Sequence, residues 1–485
     1  MVSSISPPTR RSATAIAFRE KRQQHWDQIA RAAGDDGWAR TYHRRLQRVY
    51  QTLILPGQRV LELGCGSGDL LAMVQPARGV GVDLSGEMVA VAAARHPHLV
   101  FIHGDAHDVA LDERFDVIVC SDLISDVWDV EQVLANARRM LATGGRIMLN
   151  SYSRLWEVPL RISSGLGRSR PMLDQNWLTA HDVRNLFDLA DCEVVREWQE
   201  FLCPVAVPGV EPLCNRVLVK SWPFAGLALA NFFVARARPL AAESQPERTV
   251  SIVVPARNEA GHIDSLFARL PEFGARLELI FVEGHSTDDT YAVIEKAIAS
   301  HPERTCQLMR QGGKGKGDAV RLGFSKASGD ILMILDADLT VAPEDLPRFY
   351  QALVTGKGDF VNGVRLVYPR EDGAMRFFNL LANKFFGWLF SWLIGQKIKD
   401  TLCGTKVLWH RDYDQIVSAR GYFGDFDPFG DFELLFGAAR LSRKIAEMPV
   451  RYAERFYGET NIRRWRDGWL LFRMAAVAAR RLKWV

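Results

Sequence analysis

The sequence predicts two α/β domains joined in one chain, each built on a largely parallel sheet. Apolar, strand-like segments alternate with helical patterns from about residue 60 to 236, and again from about residue 250 to 452. This alternation is typical of parallel sheets covered by helices. The segment between the two regions, "ARARPLAAESQPERT", is polar and contains two prolines, as expected of an exposed linker. A chain of 485 residues is long enough for two such domains.

Composition narrows the possible function classes. The formal net charge of +4 is small for this length, so we expect no nucleic-acid binding. Seven cysteines without any C-x-x-C pair predict reduced, buried thiols in a cytosolic protein, and no zinc site. The N-terminal residues "MVSSISPPTRRSATAIAFREKRQQ" lack the apolar core of a secretory signal. No uninterrupted apolar run of about 18 residues occurs, so we expect no transmembrane helix.

A glycine-rich loop follows the first strand of the N-terminal half. In "RVLELGCGSGDLL" an apolar strand leads to Gly64, Gly66 and Gly68, and an apolar helix begins directly after them. Glycine permits a tight turn and lets a ligand approach the backbone closely. A strand–loop–helix unit of this kind binds ligands at the carboxyl end of its strand. The loop alone also fits a tight turn without a ligand, so the following strands must decide between the two interpretations.

Acidic residues stand at the ends of the next three strands. "GVGVDLS" contains Asp83, "LVFIHGDAHDV" places Asp105 after the third strand, and "FDVIVCSDLISDV" places Asp122 after the fourth. An acid at the end of the second strand is placed to accept hydrogen bonds from ribose hydroxyls. Because the carboxyl ends of parallel strands share one edge of the sheet, the three acids predict a single ligand-binding edge.

These motifs, in this order, resemble those of class I S-adenosylmethionine-dependent methyltransferases over residues 40–236. "LELGCGSG", "VDLS", "GDA" and "FDVIVCSD" carry the resemblance. It implies a Rossmann-like fold in which the glycine loop approaches the methionine part, Asp83 holds the ribose, and Asp105 with Ala106 flanks the adenine. A dinucleotide oxidoreductase is the alternative, but the loop reads G-x-G-x-G rather than G-x-G-x-x-G. The residues predicted to bind S-adenosylmethionine are Glu62, Gly64, Gly66, Gly68, Asp83, Leu84, Asp105, Ala106 and Ser121.

The methyl acceptor leaves a weaker signal. Tyr152, Trp156, Trp177 and His181 lie where acceptor-binding insertions often sit. Packing in the core is the more common role of the aromatic residues, and a surface position is the more common one for the histidine. No residue can be named as a general base from the sequence.

The C-terminal half contains an apolar strand that ends in two carboxylates. In "ILMILDADLT", Asp336 and Asp338 follow the apolar run, and two charged groups there require a positive partner. Strand alternation would place both side chains on one side of the chain. Such a pair can hold Mg²⁺ or Mn²⁺, which would act as a Lewis acid on a nucleotide diphosphate leaving group. A solvated acidic turn that caps the helix near Pro343 is the alternative interpretation.

The order of motifs in this half resembles family 2 glycosyltransferases with the nucleotide-sugar-binding GT-A fold. P-x-x-N-E, E-G-x-S-x-D-D-T and D-A-D follow one another. The second motif usually reads "DDGS", whereas this chain has Glu283 and Gly284, which leaves the nucleotide open. The resemblance implies donor-binding roles for Pro255, Asn258, Glu259, Glu283, Ser286, Lys316, Asp336 and Ala337, and metal binding by Asp336 and Asp338.

A narrower resemblance is to the dolichyl- and polyprenyl-phosphate sugar synthases, over about residues 249–470. "GVRLV", "KDTLCGTKVLWHRD" and "DFELLFGAARLSRKIAEMPVRYAERFYGETNI" carry it. The family commonly has glutamine where Asp431 stands and lysine where Asn461 stands, so the chain departs from it at two positions. The resemblance implies a polyprenyl phosphate acceptor, and catalytic or acceptor-binding roles for Asp338, Arg365, Asp431, Glu433 and Arg455.

Two segments of the C-terminal half predict contact with a membrane surface. Residues 376–396 are rich in Phe, Leu, Trp and Ile, with small or polar residues at every fourth position. Residues 461–485 combine tryptophans with seven basic residues and one acid. Tryptophan favours the membrane interface, and cations favour anionic lipid. A core helix for the first segment and a solvated basic helix for the second are the alternatives.

These patterns and resemblances predict a bifunctional enzyme that transfers a methyl group from S-adenosylmethionine, and a hexose from a nucleotide sugar to polyprenyl phosphate. A growing glycan or a lipid-linked saccharide is the alternative sugar acceptor, and one half could instead be a non-catalytic binding module. The expected location is cytoplasmic, peripheral on the inner face of the cell membrane. The predicted segments are a helical or disordered extension (1–39), the methyltransferase domain (40–236), a linker (237–248), the glycosyltransferase domain (249–460) and a basic membrane-associating tail (461–485).

Overall fold

The chain divides into two compact units, residues 1–238 and residues 239–484. The boundary lies inside the segment predicted as a linker. The computed structural model describes residues 13–32, 37–165, 173–203, 208–239, 246–365, 377–420, 430–451 and 472–484, with the side chains of these residues except 37–40, 377–383 and 431.

The first unit is built on one mixed sheet. Its strands are β1 (Arg59–Leu63), β2 (Arg78–Asp83), β3 (Val100–His103), β4 (Phe115–Ser121), β5 (Leu141–Tyr152), β6 (Cys192–Glu200) and β7 (Ala230–Ala237). Within the described residues they form a seven-stranded sheet in the order β3-β2-β1-β4-β5-β7-β6. The pairs from β3 to β5 are parallel, whereas β7 is antiparallel to both of its neighbours.

Helices cover both faces of this sheet. They are α1 (Ala13–Arg31), α2 (Gly37–Leu53), α3 (Asp69–Met73), α4 (Gly86–Arg95), α5 (Val130–Arg139), α6 (Glu157–Gly165), α7 (Ala180–Leu189) and the single turn α8 (Val210–Pro212). Alternate strand residues point to opposite faces, so β4 contributes to two separate cores. Val117 and Val119 pack with α2 on one face, and Ile118 and Cys120 pack with α5 and α7 on the other.

The second unit contains another mixed sheet. Its strands are β8 (Thr249–Ala256), β9 (Arg276–Glu283), β10 (Thr305–Arg310), β11 (Ile331–Ile334), β12 (Phe360–Val364), β13 (Lys406–Trp409) and β14 (Ile445–Pro449). In the part of this unit that the structure describes, seven strands follow the order β10-β9-β8-β11-β13-β12-β14. β13 is antiparallel to β11 and β12, and the other pairs are parallel.

The helices of the second unit pack on this sheet. They are α9 (Ile263–Arg269), α10 (Thr290–Ser300), α11 (Lys316–Lys326), α12 (Leu346–Val354), α13 (Phe377–Ile394), α14 (His410–Ser418) and α15 (Asp431–Arg440). Helix α11 lies so close to β8 that a Cβ on Gly323 would stand 2.4 Å from Cγ1 of Val253, and only glycine permits this packing. The prediction of a Rossmann-like domain followed by a GT-A domain is confirmed. Among the described helices, none is long and apolar enough to cross a bilayer.

Candidate active sites

The glycine loop of the first unit connects β1 to α3 at the carboxyl edge of the sheet. Gly64 and Gly68 both have a φ of 73°, a backbone conformation that L side chains rarely adopt. A Cβ on Gly68 would also stand 2.6 Å from the ring of Phe101. The N–H groups of Gly64 and Cys65 both donate to the Val82 carbonyl oxygen, at 2.8 and 3.1 Å, which ties the loop to β2.

Asp83, at the end of β2, lies directly against this loop. Its carboxylate accepts hydrogen bonds from the N–H of Gly66 at 2.8 Å and from the N–H of Ser85 at 2.9 Å. Burial raises the pKa of Asp83, while these two backbone donors act in the opposite direction. The acid predicted to hold a ribose therefore also fixes the shape of the glycine loop.

Glu62 provides a buried hydrogen-bond acceptor beside the glycine loop of the first unit. It is 2% exposed, and its Oε2 has no hydrogen-bond partner among the described residues. Burial raises the pKa of this carboxyl well above its usual range. A buried acceptor without a donor is costly, so a ligand with N–H or O–H groups would stabilise it. S-adenosylmethionine has an ammonium group and ribose hydroxyls, so the residues present fit this cofactor.

The remaining predicted cofactor residues are held by local contacts. Asp105 receives a hydrogen bond from the N–H of His107 at 3.0 Å, and the Ala106 carbonyl accepts from Asn136 Nδ2 at 3.0 Å. The Leu84 carbonyl lies 3.0 Å from His103 Nε2. Ser121 donates its hydroxyl to Asn150 Oδ1, also at 3.0 Å. All of these residues lie at the ends of β2, β3 and β4, so they share one edge of the sheet.

Helix α1 crosses the same edge, which the sequence did not indicate. Arg19 Nε lies 3.5 Å from Asp105, and Ser85 donates its hydroxyl to Asp27 at 2.5 Å. Trp26 Nε1 donates to Asp126, in the loop after β4, at 2.7 Å. The helix thus contacts side chains after β2, β3 and β4 in turn. The sequence predicted only a helical or disordered extension here, and these contacts follow from the fold.

A half-buried acid, Asp122, lies beside the glycine loop. Asp122 follows β4 with a φ of 55°, and its carboxylate accepts from the hydroxyl of Tyr42 at 2.8 Å and from Asn150 Nδ2 at 2.5 Å. Burial raises the pKa of Asp122 to about 7. The next residue, Leu123, contacts the glycine loop, since a Cβ on Gly64 would stand 2.9 Å from its Cδ1. A carboxyl group with this pKa can accept a proton near neutral pH.

Aromatic side chains gather beside Asp122. The ring of Tyr42 lies 4.6 Å from Phe201 and 5.8 Å from Tyr152, and Tyr152 lies 6.5 Å from Trp177. Two of the four predicted acceptor residues, Tyr152 and Trp177, therefore meet at this position. Trp156 instead bonds to a backbone carbonyl further along the chain, and His181 is exposed at the start of α7.

In the second unit, the D-A-D motif lies in a turn and not on a strand. β11 ends at Ile334, and the N–H of Leu339 bonds to the Asp336 carbonyl at 3.2 Å. The expectation that strand alternation aligns Asp336 and Asp338 is therefore wrong, because the turn positions them. Asp338 accepts from the hydroxyl and the N–H of Thr340, at 2.8 and 3.1 Å, and does not cap the following helix.

The positive partner of this motif is Lys316. Its Nζ lies 2.6 Å from Asp336 Oδ1, and α11 begins at this lysine. A Cβ on Gly404 would stand 1.9 Å from Asp336 Oδ2, so the loop before β13 closes on the same carboxylate. Within the described residues, no group of three or more His, Cys, Asp or Glu side chains could hold a metal ion. The two carboxylates fit Mg²⁺ or Mn²⁺ when diphosphate oxygens and water supply the other ligands.

Most predicted donor residues come together at the carboxyl ends of β8 and β9. Asn258 Oδ1 accepts from the N–H of Thr287 at 2.7 Å, and its own N–H donates to the Ser286 hydroxyl at 3.0 Å. Glu283 accepts from the N–H of Ser286 at 2.5 Å. Glu259 instead bonds to the buried His262, at 2.8 Å. Glu259 is thus tied into the fold, while the others line the edge next to Pro255, at the end of β8.

Gln311 is a further donor-side candidate that the sequence did not indicate. It follows β10 and is 5% exposed, and its Oε1 has no hydrogen-bond partner among the described residues. Its N–H donates to the Glu283 carbonyl oxygen at 3.0 Å, which places the side chain beside the E-G-x-S motif. An orphaned amide oxygen here can accept a hydrogen bond from a nucleotide base. Glutamine in a loop carries no sequence signal of this kind.

The residues predicted to serve the sugar acceptor have varied environments. Arg365 forms a bidentate ion pair with the buried Asp400, at 2.8 and 2.9 Å. Glu433 is paired with Arg321 at 3.2 Å and with Arg420 at 2.5 Å. The side chain of Asp431 and the whole of Arg455 lie outside the described residues.

Helix α13 and the helical residues 472–483 form an aromatic surface. The ring of Phe472 lies 5.1 Å from Phe386, and Lys483 Nζ lies 5.2 Å above the ring of Trp392. Trp388 is 67% exposed, whereas Phe390, two residues along, is fully buried. Over residues 384–394, one face of α13 therefore packs inward and the other presents aromatic rings to solvent.

Fold and sites together define two α/β domains, each with a candidate ligand-binding edge at the carboxyl ends of its strands. A family model described as "Methyltransferase domain" matches residues 60–145, and one described as "Glycosyl transferase family 2" matches residues 251–412. The chain therefore carries a methyltransferase domain followed by a family 2 glycosyltransferase domain.

Curated relatives match the C-terminal half. An undecaprenyl-phosphate 4-deoxy-4-formamido-L-arabinose transferase of Klebsiella pneumoniae is 26% identical over 219 residues, which is 44% of this chain and 63% of the relative. A dolichol-phosphate mannosyltransferase of Pyrococcus furiosus is 26% identical over 243 residues, 48% of this chain and 64% of the relative. The chain thus spans just under two thirds of the length of these relatives.

Solved structures resemble parts of the chain. The methyltransferase in a Haloferax volcanii complex with the Trm112 methyltransferase activator has 22% identity and a TM-score of 0.35, and the match covers 44% of this chain and 97% of that one. Glucosyl-3-phosphoglycerate synthase of Mycobacterium tuberculosis, solved with Mn²⁺ and UDP, has 22% identity and a TM-score of 0.36. That match covers 50% of this chain and 81% of the synthase.

Proposed function

We propose that this protein is a bifunctional enzyme that transfers a methyl group from S-adenosylmethionine and a hexose from a nucleotide sugar to polyprenyl phosphate. The observation that carries the proposal is a polar group at the carboxyl edge of each unit that could bind a ligand. Such a group either lacks a hydrogen-bond partner or could exchange its present partner for a ligand. In the first unit this is the orphaned Glu62 beside the glycine loop, and in the second it is the Lys316–Asp336 pair. We keep the predicted domain boundaries, 40–236 and 249–460, as part of the proposal.

In the methyl transfer, the chain's own residues bind the cofactor and accept a proton. Asp83 holds the ribose, Glu62 accepts from the cofactor's donor groups, and the glycine loop lets the methionine part approach the backbone. S-adenosylmethionine supplies the electrophilic methyl group. Asp122 acts as the general base for the acceptor, because its pKa of about 7 leaves it half ionised at neutral pH. Tyr42 and Asn150 hold its carboxylate in place.

In the sugar transfer, Asp336 and Asp338 would hold Mg²⁺ or Mn²⁺, which neutralises the diphosphate leaving group as a Lewis acid. Lys316 lies within the same cluster and is placed to bind a diphosphate oxygen once Asp336 has another cationic partner. Asn258, Glu283 and Ser286 position the nucleotide, together with Gln311. These roles agree with the names of the relatives, which transfer sugars to polyprenyl phosphates.

The described residues on the acceptor side include no suitable general base, and this agrees with a phosphate acceptor. Glu433 is held between two guanidinium groups and would make a poor base. A phosphate monoester needs none, since its second pKa is about 6 and it is largely a dianion at neutral pH. It needs cationic positioning instead, which arginines supply. We propose Arg455 for this role, with Arg365 oriented by its ion pair to Asp400.

We also propose a peripheral location on the cytoplasmic face of the membrane. The exposed face of α13 carries Trp388 and Phe385, and the adjoining residues 472–484 carry Arg480, Arg481 and Lys483. Exposed aromatic rings beside cations suit the interface of an anionic bilayer, where the polyprenyl acceptor resides.

The proposal is tested on the full chain with one inactivating variant for each half. Calorimetry measures binding of S-adenosylmethionine and of several nucleotide sugars, and mass spectrometry of host lipid extracts looks for sugar and methyl increments. We expect Asp83→Ala to remove the methyl increment alone, and Asp338→Ala to remove the sugar increment. If one ligand class binds but its increment never forms, that half is a binding module, and bifunctionality is refuted.

A further inference from the structure

The segment around α6 presents an apolar stripe to solvent. Leu155, Val158 and Ile162 are 64%, 64% and 58% exposed, whereas Leu160 is buried. Their spacing of three and four residues places the exposed side chains on one face, opposite Leu160. A helix that already buries its inner face against the core has no folding reason for a second apolar face, so the outer stripe points to a partner.

A second segment repeats the arrangement. Val210, Leu213 and Val217 are exposed at the same spacing of three and four residues. Asn215 is buried, and its side-chain oxygen accepts from two backbone N–H groups just after β6, at 2.8 and 2.9 Å. The inner face of this segment thus makes hydrogen bonds within the fold, and its outer face is again apolar.

The two segments adjoin each other. Trp156 Nε1, beside α6, donates to the Leu227 carbonyl oxygen at 2.9 Å. Trp222, in the second of these segments, is 93% exposed, an extreme value for a side chain of this size. We call the exposed side chains of residues 155–162 and 210–227 the apolar rim.

The apolar rim lies at the edge that carries the candidate methyl site. α6 follows β5, and residues 208–228 follow β6. β5 and β6 run in the same direction, since both are antiparallel to β7, so both segments leave the sheet at its carboxyl edge. The glycine loop and Asp122 lie at this same edge. The rim and Asp122 therefore lie at the same edge of the sheet.

The charges in this region favour a lipid surface as the partner. Arg154 and Arg216 are exposed. The acids Glu157 and Glu211 already contact neighbouring side chains, at 3.3 and 2.9 Å. An apolar surface with an exposed tryptophan and bordering arginines matches the interface of an anionic bilayer.

We propose that the apolar rim docks on an anionic lipid surface and that the methyl acceptor is a lipid-linked molecule whose head group reaches Asp122 from that surface. The inference rests on the proposed methyl transfer and names its substrate class. In the reaction the S–CH3 bond of the sulfonium breaks and an oxygen or nitrogen of the head group bonds to the methyl group. The neutral thioether leaves, and the proton of the head group passes to the Asp122 carboxylate.

Hydrogen–deuterium exchange on the full chain tests the docking. The probes are vesicles of equal parts phosphatidylcholine and phosphatidylglycerol, and vesicles of phosphatidylcholine alone. We expect exchange in residues 154–165 and 208–228 to slow several-fold with the anionic vesicles and much less with the neutral ones. A variant that combines Val158→Ser, Ile162→Ser, Leu213→Ser and Val217→Ser should lose this protection. Leu189→Ser is the matched control, because Leu189 is equally exposed at the end of α7, on the opposite edge of the sheet.

Three outcomes overturn the docking. The first is a chain that floats with the vesicles while both segments exchange as in free protein, because the second unit alone then binds lipid. The second is protection that grows with protein concentration without vesicles, because the partner is then another copy of the chain. The third is equal protection of wild type and the four-serine variant. Retained S-adenosylmethionine affinity in that variant shows that it is folded.

The acceptor class is tested by the fate of the methyl group. The full chain is incubated with methyl-tritiated S-adenosylmethionine and separate lipid and aqueous extracts of host cells. We expect label in the chloroform phase, and a drop of at least tenfold in its rate of formation with the four-serine variant. Label confined to water-soluble product overturns the lipid-linked acceptor. A chain that binds no S-adenosylmethionine in calorimetry refutes the methyltransferase proposal itself, which separates the two failures.

Discussion

Replacing Asp122 by asparagine removes the carboxyl group beside the proposed methyl acceptor and leaves its surroundings nearly unchanged. The amide oxygen can still accept from the hydroxyl of Tyr42, which lies 2.8 Å from the present carboxylate. Loss of a general base lowers turnover by roughly 10²–10⁴-fold, and we expect Asp122→Asn to fall in this range. Binding of S-adenosylmethionine should stay within a few-fold of wild type.

The same substitution should change how stability depends on pH. Burial raises the pKa of Asp122 from 3.8 to about 7, so folding takes up a proton between these values. The group therefore favours the folded state most at low pH, and this advantage is lost as pH rises to about 7. A difference of about 3 pKa units corresponds to roughly 4 kcal/mol above pH 7. Without this cost, Asp122→Asn should stabilise the first unit at about pH 8 and have little effect at about pH 4.

Two measurements check these expectations. Methyl transfer from labelled cofactor should rise with pH through about 7 in wild type and show no such rise in Asp122→Asn. Thermal unfolding of the full chain is followed at several pH values, and the transition that S-adenosylhomocysteine shifts identifies the first unit. Tyr42→Phe is the control: the hydroxyl of Tyr42 lowers the pKa of Asp122, so its loss should move the rise in rate to higher pH. Wild-type rates and an unchanged pH profile in Asp122→Asn would refute the assignment.

Four further variants test the remaining roles. Asp83→Ala should weaken S-adenosylmethionine binding roughly tenfold to a hundredfold in calorimetry, through lost ribose contacts and a loosened glycine loop; unchanged affinity contradicts the assignment. Asp338→Ala should abolish sugar transfer while cofactor affinity persists, and full transfer in excess chelator would exclude a metal. Lys316→Met should raise the Kd for the nucleotide sugar by about tenfold or more, because a cation near the diphosphate is lost; an unaltered Kd makes its contact with Asp336 purely structural. Arg455→Lys should slow transfer to polyprenyl phosphate far more than hydrolysis of the nucleotide sugar, since lysine lacks the planar fork; equal losses would place it on the donor side.

Local patterns predicted much of the fold and of both ligand-binding edges. The glycines at 64, 66 and 68 and the acid at 83 lie on consecutive elements of one βαβ unit, so their neighbourhood follows from the chain itself. Asn258 and Ser286 likewise follow β8 and β9, which are adjacent parallel strands, and they meet as expected. Contacts between neighbouring elements of this kind can be predicted from the sequence, because strand, loop and helix alternate along the chain.

Contacts between distant segments were not predictable in this way. Tyr42 and Asp122 are separated by 80 residues, and nothing in either segment indicates that α2 donates to the acid after β4. The alignment of Asp336 and Asp338 was misjudged because the strand ends at Ile334, where a turn takes over. The positive partner of Asp336 is Lys316, on the preceding helix, and its role depends on how α11 docks against the sheet.

The position of α1 has a consequence for the kinetics of the first unit. The helix is held over the carboxyl edge by side-chain bonds to Asp105, Ser85 and Asp126, and few of its residues are buried. Elements with little buried apolar surface open at low free-energy cost, well before the domain unfolds. Entry of S-adenosylmethionine and release of its thioether product at this edge would then follow the detachment of α1. Because Arg19–Asp105 and Arg22–Asp126 are ion pairs, which salt weakens, cofactor exchange in this protein should speed up as ionic strength rises.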